Sequence, residues 1–524
     1  MKGDEIPVSA FMQNINGRFE ISGSAYEKRG IAEFVPEWDK NKCVQCTMCS
    51  LVCSHGTIRP FLISDSELQN APLNTQFVSA KNPKIQKYKF TISVSPMDCS
   101  GCGECVANCP VGAIQMVKQE SQRNMQNVFD FLCKNIFKKN EVSQLPLLIA
   151  SQYNQPLLEF SGACGGCAES TYAKLITQLY GEEMYIANAT GCSSIWGGPG
   201  AISPYTINNF SKKGPAWANS LFEDNAEFGL GIYLGQKNIR DNLIEKLEKL
   251  MQKTSSESLK KVILDFITSK DKTKENVVST ENLIKELEKD SSELSEEILQ
   301  EKDYLQKKSV WIFGGDGWAY DIGFGGLDHV LASKQNVNIF VFDTEMYSNT
   351  GGQCSKSSNI GGVGQFSVLG KELNKKSLAE MAMTYGYVYV AQVALGANPA
   401  HTIKVIQEAE AYNGPSLIIA YSPCELHGIK GGMSQCQKIM KNAVKSGYWN
   451  LFSFNPDLKS QGKNPFVLTS AMGDGSYRDF LNNETRYSKL SYENMQRAEY
   501  LFKKNETVAN ERYEHLQRLF DLYK

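Results

Sequence analysis

Cys43-x2-Cys46-x2-Cys49-x3-Cys53 and Cys99-x2-Cys102-x2-Cys105-x3-Cys109-Pro110 are two copies of one spacing, and no other feature constrains the chain as strongly. Three thiolates two residues apart can wrap a loop around one iron–sulfur cube, and the fourth cysteine of each run is out of reach and ligates the other cube. The spacing therefore predicts two [4Fe–4S] clusters with crossed ligation. Cys43, Cys46, Cys49 and Cys109 hold one, and Cys99, Cys102, Cys105 and Cys53 hold the other. Zinc knuckles, the alternative for cysteine-rich loops, want four ligands each in simpler pairs. The copies differ at one telling position: Ser54 follows Cys53 where Pro110 follows Cys109. Serine restores an N–H, so altered hydrogen bonding near the cluster is expected, with the ligand set intact.

Fifteen cysteines without an export signal argue for metal binding in a reducing, cytoplasmic compartment, and an odd number cannot all pair as disulfides. The N-terminus, Met1-Lys2-Gly3-Asp4-Glu5, has neither a signal-peptide layout nor the acid-poor composition of a transit peptide. The 55 Lys and Arg nearly balance the 57 Asp and Glu, with no basic stripe, so nucleic acid is not an expected partner. No run of about 18 apolar residues offers a membrane span.

At 524 residues the chain is too long for one ordinary core, and two to four domains are expected, at roughly 150 residues each. Residues 21–137 are read as a ferredoxin-like α+β domain, with an insertion from Ser54 to Asp98 and a linking helix from about Ser121 to Lys139. Residues 138–524 are read as an α/β domain. Its apolar runs Val310–Phe313, Asn338–Phe342, Val388–Ala391 and Leu417–Ala420, alternating with helical stretches such as Ile403–Glu410, predict a parallel sheet covered on both faces. Between about 237 and 308 the composition turns to Lys, Glu, Leu and Ser. Leu243, Leu247, Leu250 and Met251, then Leu283, Leu287 and Leu294, recur at helical spacing. The heptads are not sustained, so a solvated helical excursion is expected rather than a coiled coil.

Gly315-Asp316-Gly317 follows one strand candidate and Asp343-Thr344-Glu345-Met346-Tyr347-Ser348-Asn349 follows the next. Glycines there let backbone N–H groups approach a diphosphate at a helix start, where the dipole favours negative charge. Asp316, the Thr344 hydroxyl and a backbone carbonyl would complete an oxygen shell for Mg²⁺. A second Gly473-Asp474-Gly475 lacks that strand context. Cys164, Cys167, Cys192 and Cys424 are too scattered for spacing to group them: a third cluster, or a redox Cys-x-x-Cys pair with two unrelated thiols, fit equally well.

Taken together these pieces resemble the C-terminal half of pyruvate:ferredoxin (flavodoxin) oxidoreductase, over nearly the whole chain. The carrying segments include Tyr26–Ala32, Gly162–Glu169, Ala189–Cys192, Gly214–Asn225, Gly315–Gly323, Ser348–Gln353, Tyr421–Cys424 and Gly447–Trp449. The resemblance implies thiamine diphosphate as the diphosphate ligand and a third [4Fe–4S] cluster on Cys164, Cys167, Cys192 and Cys424. It sets Glu169, Cys192, Gly315, Asp316, Gly317, Trp318, Thr344, Glu345, Met346, Tyr347, Ser348 and Asn349 against the cofactor. Asp316, Thr344 and the Met346 carbonyl would bind Mg²⁺; Glu169 and Asn349 become the catalytic candidates.

The implied activity is oxidative decarboxylation of pyruvate, with coenzyme A as acyl acceptor and ferredoxin or flavodoxin as electron acceptor. Residues 1–20 resemble a remnant of an upstream domain. In this family the acid that engages the aminopyrimidine and the groups that select pyruvate lie in N-terminal domains. The chain is therefore expected to be either a fragment or a subunit of a split enzyme, completed by a partner chain carrying those domains in a homo- or hetero-oligomer. The rival readings are a standalone two-cluster carrier with a vestigial diphosphate site, and an enzyme for another 2-oxo acid. His55, His329, His401, His427 and His515 are read as structural, with His427 near enough to Cys424 to support it.

Overall fold

Five short strands organise the cysteine-rich region of the computed structural model, which describes residues 7–524; the first residues of the 1–20 segment, with the N-terminal pentapeptide, lie outside the described residues. They are β1 (Phe34–Trp38), β2 (Ile58–Ile63), β3 (Val78–Ser79), β4 (Lys89–Val94) and β5 (Ile114–Lys118). Antiparallel pairing of β1 with β5 closes the region around both cysteine loops. Each loop winds into a single helical turn, Met48–Leu51 or Glu104–Ala107, entered through left-handed backbone at Thr47 or Gly103. The stretch between the copies forms an antiparallel sheet in the order β2-β4-β3. The helix Met125–Asn135 turns Val128, Phe129 and Leu132 inward.

Eight further strands form the main sheet: β6 (Met184–Ala189), β7 (Ala216–Ser220), β8 (Ser309–Gly315), β9 (Asn338–Asp343), β10 (Tyr389–Val393), β11 (Ser416–Tyr421), β12 (Phe452–Phe454) and β13 (Phe466–Leu468). Their order is β13-β12-β10-β11-β9-β8-β6-β7. From β10 to β7 the strands run parallel, and β12 and β13 extend one edge antiparallel. The runs Val310–Phe313 and Ile339–Phe342 are buried on both faces, as continuous apolar strands under two helical layers must be. The helix Ala168–Tyr180 is buried along its whole length.

The charged stretch departs from expectation in one respect. Its four helices, Asn225–Lys253, Glu257–Ser269, Thr273–Leu287 and Glu293–Gln300, enclose an apolar core of their own. Leu243, Leu247, Leu250, Leu283 and Leu287 lie inside it. A single leucine stripe per helix suffices when the helices pack on one another, which leaves the lysines and glutamates outside. Among the described residues no helix is long and apolar enough to cross a membrane.

Candidate cluster and cofactor sites

Two small cavities lie side by side in the cysteine-rich region. Cys43, Cys46, Cys49 and Cys109 line one, together with Val44 and Val111. Cys53, Cys99, Cys102 and Cys105 line the other. The two are of equal size, each about 20 Å³. Burial and the neighbouring thiols push the Cys99 thiol up to about 12 and Cys102 to about 11. Backbone N–H groups already point at sulfur: Gln45 donates to Cys43, Gly101 to Cys99 and Ala113 to Cys109, at 3.4, 3.4 and 3.1 Å. Four thiols around each of two matched cavities, with amides aimed at the sulfurs, fit a thiolate-ligated cube in each.

A second site lies at the carboxyl edge of the main sheet. Neighbouring strands β11, β9, β8 and β6 deliver Cys424, Thr344, Asp316 and Cys192 to that edge. Open α/β sheets place ligands there because the loops diverge and helices present their N-termini. The Thr344 hydroxyl stands 2.9 Å from Asp316 Oδ1 and 2.9 Å from the Met346 carbonyl, so three oxygens of different chemistry converge. Asp316 is fully buried and receives hydrogen bonds from Ser355 at 2.5 Å and the Thr344 amide at 3.2 Å. Burial and the nearby Asp343 carboxylate raise its pKa to about 8. A buried carboxylate in no salt bridge among the described residues, with a hydroxyl and a carbonyl beside it, is a hard-cation donor set, and it fits Mg²⁺ with diphosphate oxygens. Gly317 must lack a side chain, because a Cβ there would meet the Tyr347 ring at 2.6 Å.

The remaining expected cofactor residues divide. Ser348 donates to Thr344 Oγ1 at 2.8 Å and sits beside Cys424, joining the two halves of the site. Tyr347 donates to Asp321 at 3.0 Å. Asn349 lies on an exposed turn. Two side chains are committed elsewhere. The Trp318 ring is buried against Gly314 and Gly323. The Glu345 carboxylate, on left-handed backbone at φ 60°, turns inward to Arg486 at 2.8 Å, Lys375 at 3.0 Å and Tyr448 at 2.5 Å. Those cations hold Glu345 down at about 2, so it is a structural anion of the loop.

Cys164, Cys167, Cys192 and Cys424 come together beside this edge. Burial raises the Cys192 thiol, and the other three thiols and Glu169 push it further. Glu169 is buried, accepts a hydrogen bond from Trp196 Nε1 at 3.2 Å, and is raised to about 7 by loss of water. Among the described residues no three His, Cys, Asp or Glu side chains close on a single ion. The loop between Cys164 and Cys167 presses on the ferredoxin-like region through Gly165, where a Cβ would stand 3.2 Å from Cys102 Cβ; Gly166, at φ +78°, packs on its own domain, where a Cβ would stand 2.7 Å from the Met433 carbonyl. The decoy Asp474 is a surface group paired with Lys445.

Comparison with known proteins gives these sites a context. A 4Fe–4S dicluster domain model matches residues 42–113, the C-terminal TPP-binding domain model of thiamine pyrophosphate enzymes matches 300–420, and a domain of unknown function matches 1–32. A pyruvate-flavodoxin oxidoreductase of Klebsiella pneumoniae is 46% identical over 99% of this chain and 44% of its own length. A pyruvate:ferredoxin oxidoreductase of Moorella thermoacetica is 47% identical over 99% of this chain and 45% of its own length. The chain is a homologue of the C-terminal part of the pyruvate:ferredoxin (flavodoxin) oxidoreductases. A mitochondrial pyruvate dehydrogenase [NADP(+)] of Euglena gracilis is 44% identical over 99% of this chain and 29% of its own length. The chain thus spans less than half the length of the relatives it matches.

Within this family framework, the structure adds residues that the motifs do not reveal. His427, fully buried and lowered to about 3, donates from Nε2 to the Thr344 carbonyl at 2.7 Å, while its Nδ1 faces the Cys424 amide at 3.4 Å. It ties the thiol loop to the oxygen-bearing loop. Ser54, the odd residue of the first cysteine run, is 2.8 Å from His55 Nδ1, and His55 Nε2 reaches the Ala163 carbonyl at 2.9 Å. That pair pins the ferredoxin-like region to the residue before Cys164. Proximity of a histidine to a ligand cysteine was the available signal for both. Nothing in the spacing pointed to Arg486 or Lys375.

Proposed function

We propose that this chain is the electron-transfer and diphosphate-binding part of a pyruvate:ferredoxin or pyruvate:flavodoxin oxidoreductase. The observation that carries the reading is the convergence of four neighbouring strand ends on one edge, where an Mg²⁺ donor set adjoins four thiols that abut the ferredoxin-like region. Thiamine diphosphate, when bound, supplies the electron sink for decarboxylating a 2-oxo acid. Asp316, Thr344 and the Met346 carbonyl would hold its Mg²⁺, with Gly315 and Gly317 leaving the backbone open to the diphosphate. Glu169, raised to about 7, holds a proton close to the thiols near neutral pH. Asn349, on an exposed turn, is in this reading the side chain that would meet the substrate.

Cys164, Cys167, Cys192 and Cys424 would hold a third [4Fe–4S] cluster, and electrons would leave through the cube next to Cys102 and then the cube on Cys43, Cys46, Cys49 and Cys109. Coenzyme A is the acyl acceptor in this reading. A partner carrying the remaining domains completes an oligomeric, cytoplasmic enzyme.

Three measurements on the anaerobically reconstituted chain test the proposal. Iron should approach about twelve per chain, four for each cube. Calorimetry should register thiamine diphosphate binding at millimolar Mg²⁺. Pyruvate-dependent reduction of a viologen dye should need a partner supplying the missing domains. About eight irons and no heat of binding would instead mark a two-cluster carrier with a vestigial site.

A further inference from the structure

One residue of the helix Ala168–Tyr180 is out of keeping with its surroundings. Lys174 is 1% exposed. Its Nζ donates to the carbonyl oxygens of Ser50 and Leu51 at 2.5 and 3.1 Å. Those two carbonyls end the helical turn Met48–Leu51, which itself carries Cys49 of one four-cysteine cavity and leads two residues later to Cys53 of the other. The groups that act on Lys174 electrostatically are Cys53 first, then Arg59 and Cys49, and none is a carboxylate. Loss of water lowers the lysine to about 8, and Cys53 is the thiol that acts on it most strongly.

An ammonium buried without a carboxylate costs several kcal/mol, and carbonyl acceptors recover only part of that. A methionine or leucine would fill the space at lower cost. Burying a charge has a physical rationale where negative charge accumulates, and a thiolate-ligated cube gains one negative charge when it takes up one electron. Cluster potentials respond to nearby charge and burial. The same helix begins at Cys167 and carries Glu169, so it runs from the third thiol set into the ferredoxin-like region.

We propose that Lys174 is an electrostatic tuning residue that raises the reduction potential of the Cys53, Cys99, Cys102 and Cys105 cube more than that of its neighbour. Reduction here adds one electron to the cube; no bond breaks, and the lysine keeps its proton and both carbonyl contacts. The cube facing the third thiol set thereby becomes the preferred first resting place for an electron leaving the diphosphate site. The inference rests on the cluster reading above, and the test separates the two.

The test is a dithionite redox titration of the anaerobically reconstituted full chain, followed by electron paramagnetic resonance, on wild type, K174M and K174R. A C53S variant marks the signal of the cube concerned. In K174M the reduced-to-oxidised ratio of that cube at a fixed potential should fall about tenfold, which is 59 mV for a one-electron couple. The cube on Cys43, Cys46, Cys49 and Cys109 should shift less, and a third cube should not move. K174R should stay within about twofold of wild type, because it keeps the charge. Full iron content with unshifted or uniformly shifted potentials in K174M overturns the tuning role alone. Loss of iron in K174M but not K174R makes Lys174 a structural pin and also overturns it. Failure of wild type to assemble cubes removes the cluster reading and this inference together.

Discussion

The cysteine sets before residue 110 and the set after residue 160 are built in opposite ways. In the ferredoxin-like region the thiols are given by local spacing, and a modest core around Trp38, Phe90 and Ile92 surrounds them. Cys164, Cys167, Cys192 and Cys424 are brought together by a sheet whose core runs through Trp311, Phe340 and Ile418. The first kind of site borrows stability from what it binds, and the second is supported by a fold that exists for other reasons. This difference is open to experiment.

Stripping the iron should break the comparison most visibly. Hydrogen exchange on the iron-free chain should show β1 to β5 losing protection while β8, β9 and β11 retain it, because metal binding and folding are coupled only where the core is small. Equal loss in both regions would show that the sheet also depends on its cluster.

Replacing one scattered thiol comes next. C424S should remove about four of roughly twelve irons and leave the ferredoxin-type signals in place. Loss of all iron would mean that the two regions assemble as one.

Smaller in extent, though costly, is R486A. Arg486 bonds Glu484 at 2.7 Å and Glu345 at 2.8 Å, all three buried. Removing it strands the Glu484 carboxylate and leaves Glu345 with Lys375 as its remaining cation, and urea unfolding should register a loss of about 3–5 kcal/mol. A loss confined to the ferredoxin-like region would contradict the assignment of this network to the sheet.

The finest distinction is D316N. It should weaken thiamine diphosphate binding in Mg²⁺ by at least the roughly 10- to 100-fold that loss of a group merely supporting a metal ligand costs, with iron content unchanged. Because burial already raises Asp316 to about 8, the neutral isostere should leave stability unchanged or slightly higher. Unaltered affinity would separate Asp316 from the metal.

Legibility follows the same division. The strands at Val310–Phe313, Asn338–Phe342 and Leu417–Ala420 were visible because a strand buried on both faces has to be apolar throughout. The helical stretch after β7 was readable as helix but not as a body with a core, since one leucine stripe looks alike whether its partner is solvent-side or internal. Glu345 was legible only as a neighbour of Thr344: its left-handed backbone and its pairing with Arg486, Lys375 and Tyr448 are tertiary features.

Local spacing by itself determined the eight ferredoxin-type thiols, four central strands of the main sheet and the two oxygen-bearing loops, since each depends on residues a few positions apart. Only the tertiary structure decided which distant residues share a site. Strand order β11-β9-β8-β6 sets Cys424, Thr344, Asp316 and Cys192 along one edge, and the buried helix Ala168–Tyr180 carries Lys174 to the turn between two cysteine cavities. Such contacts arise from how strands cross over and helices pack, and hydrophobic packing of that kind leaves no fixed spacing in the chain.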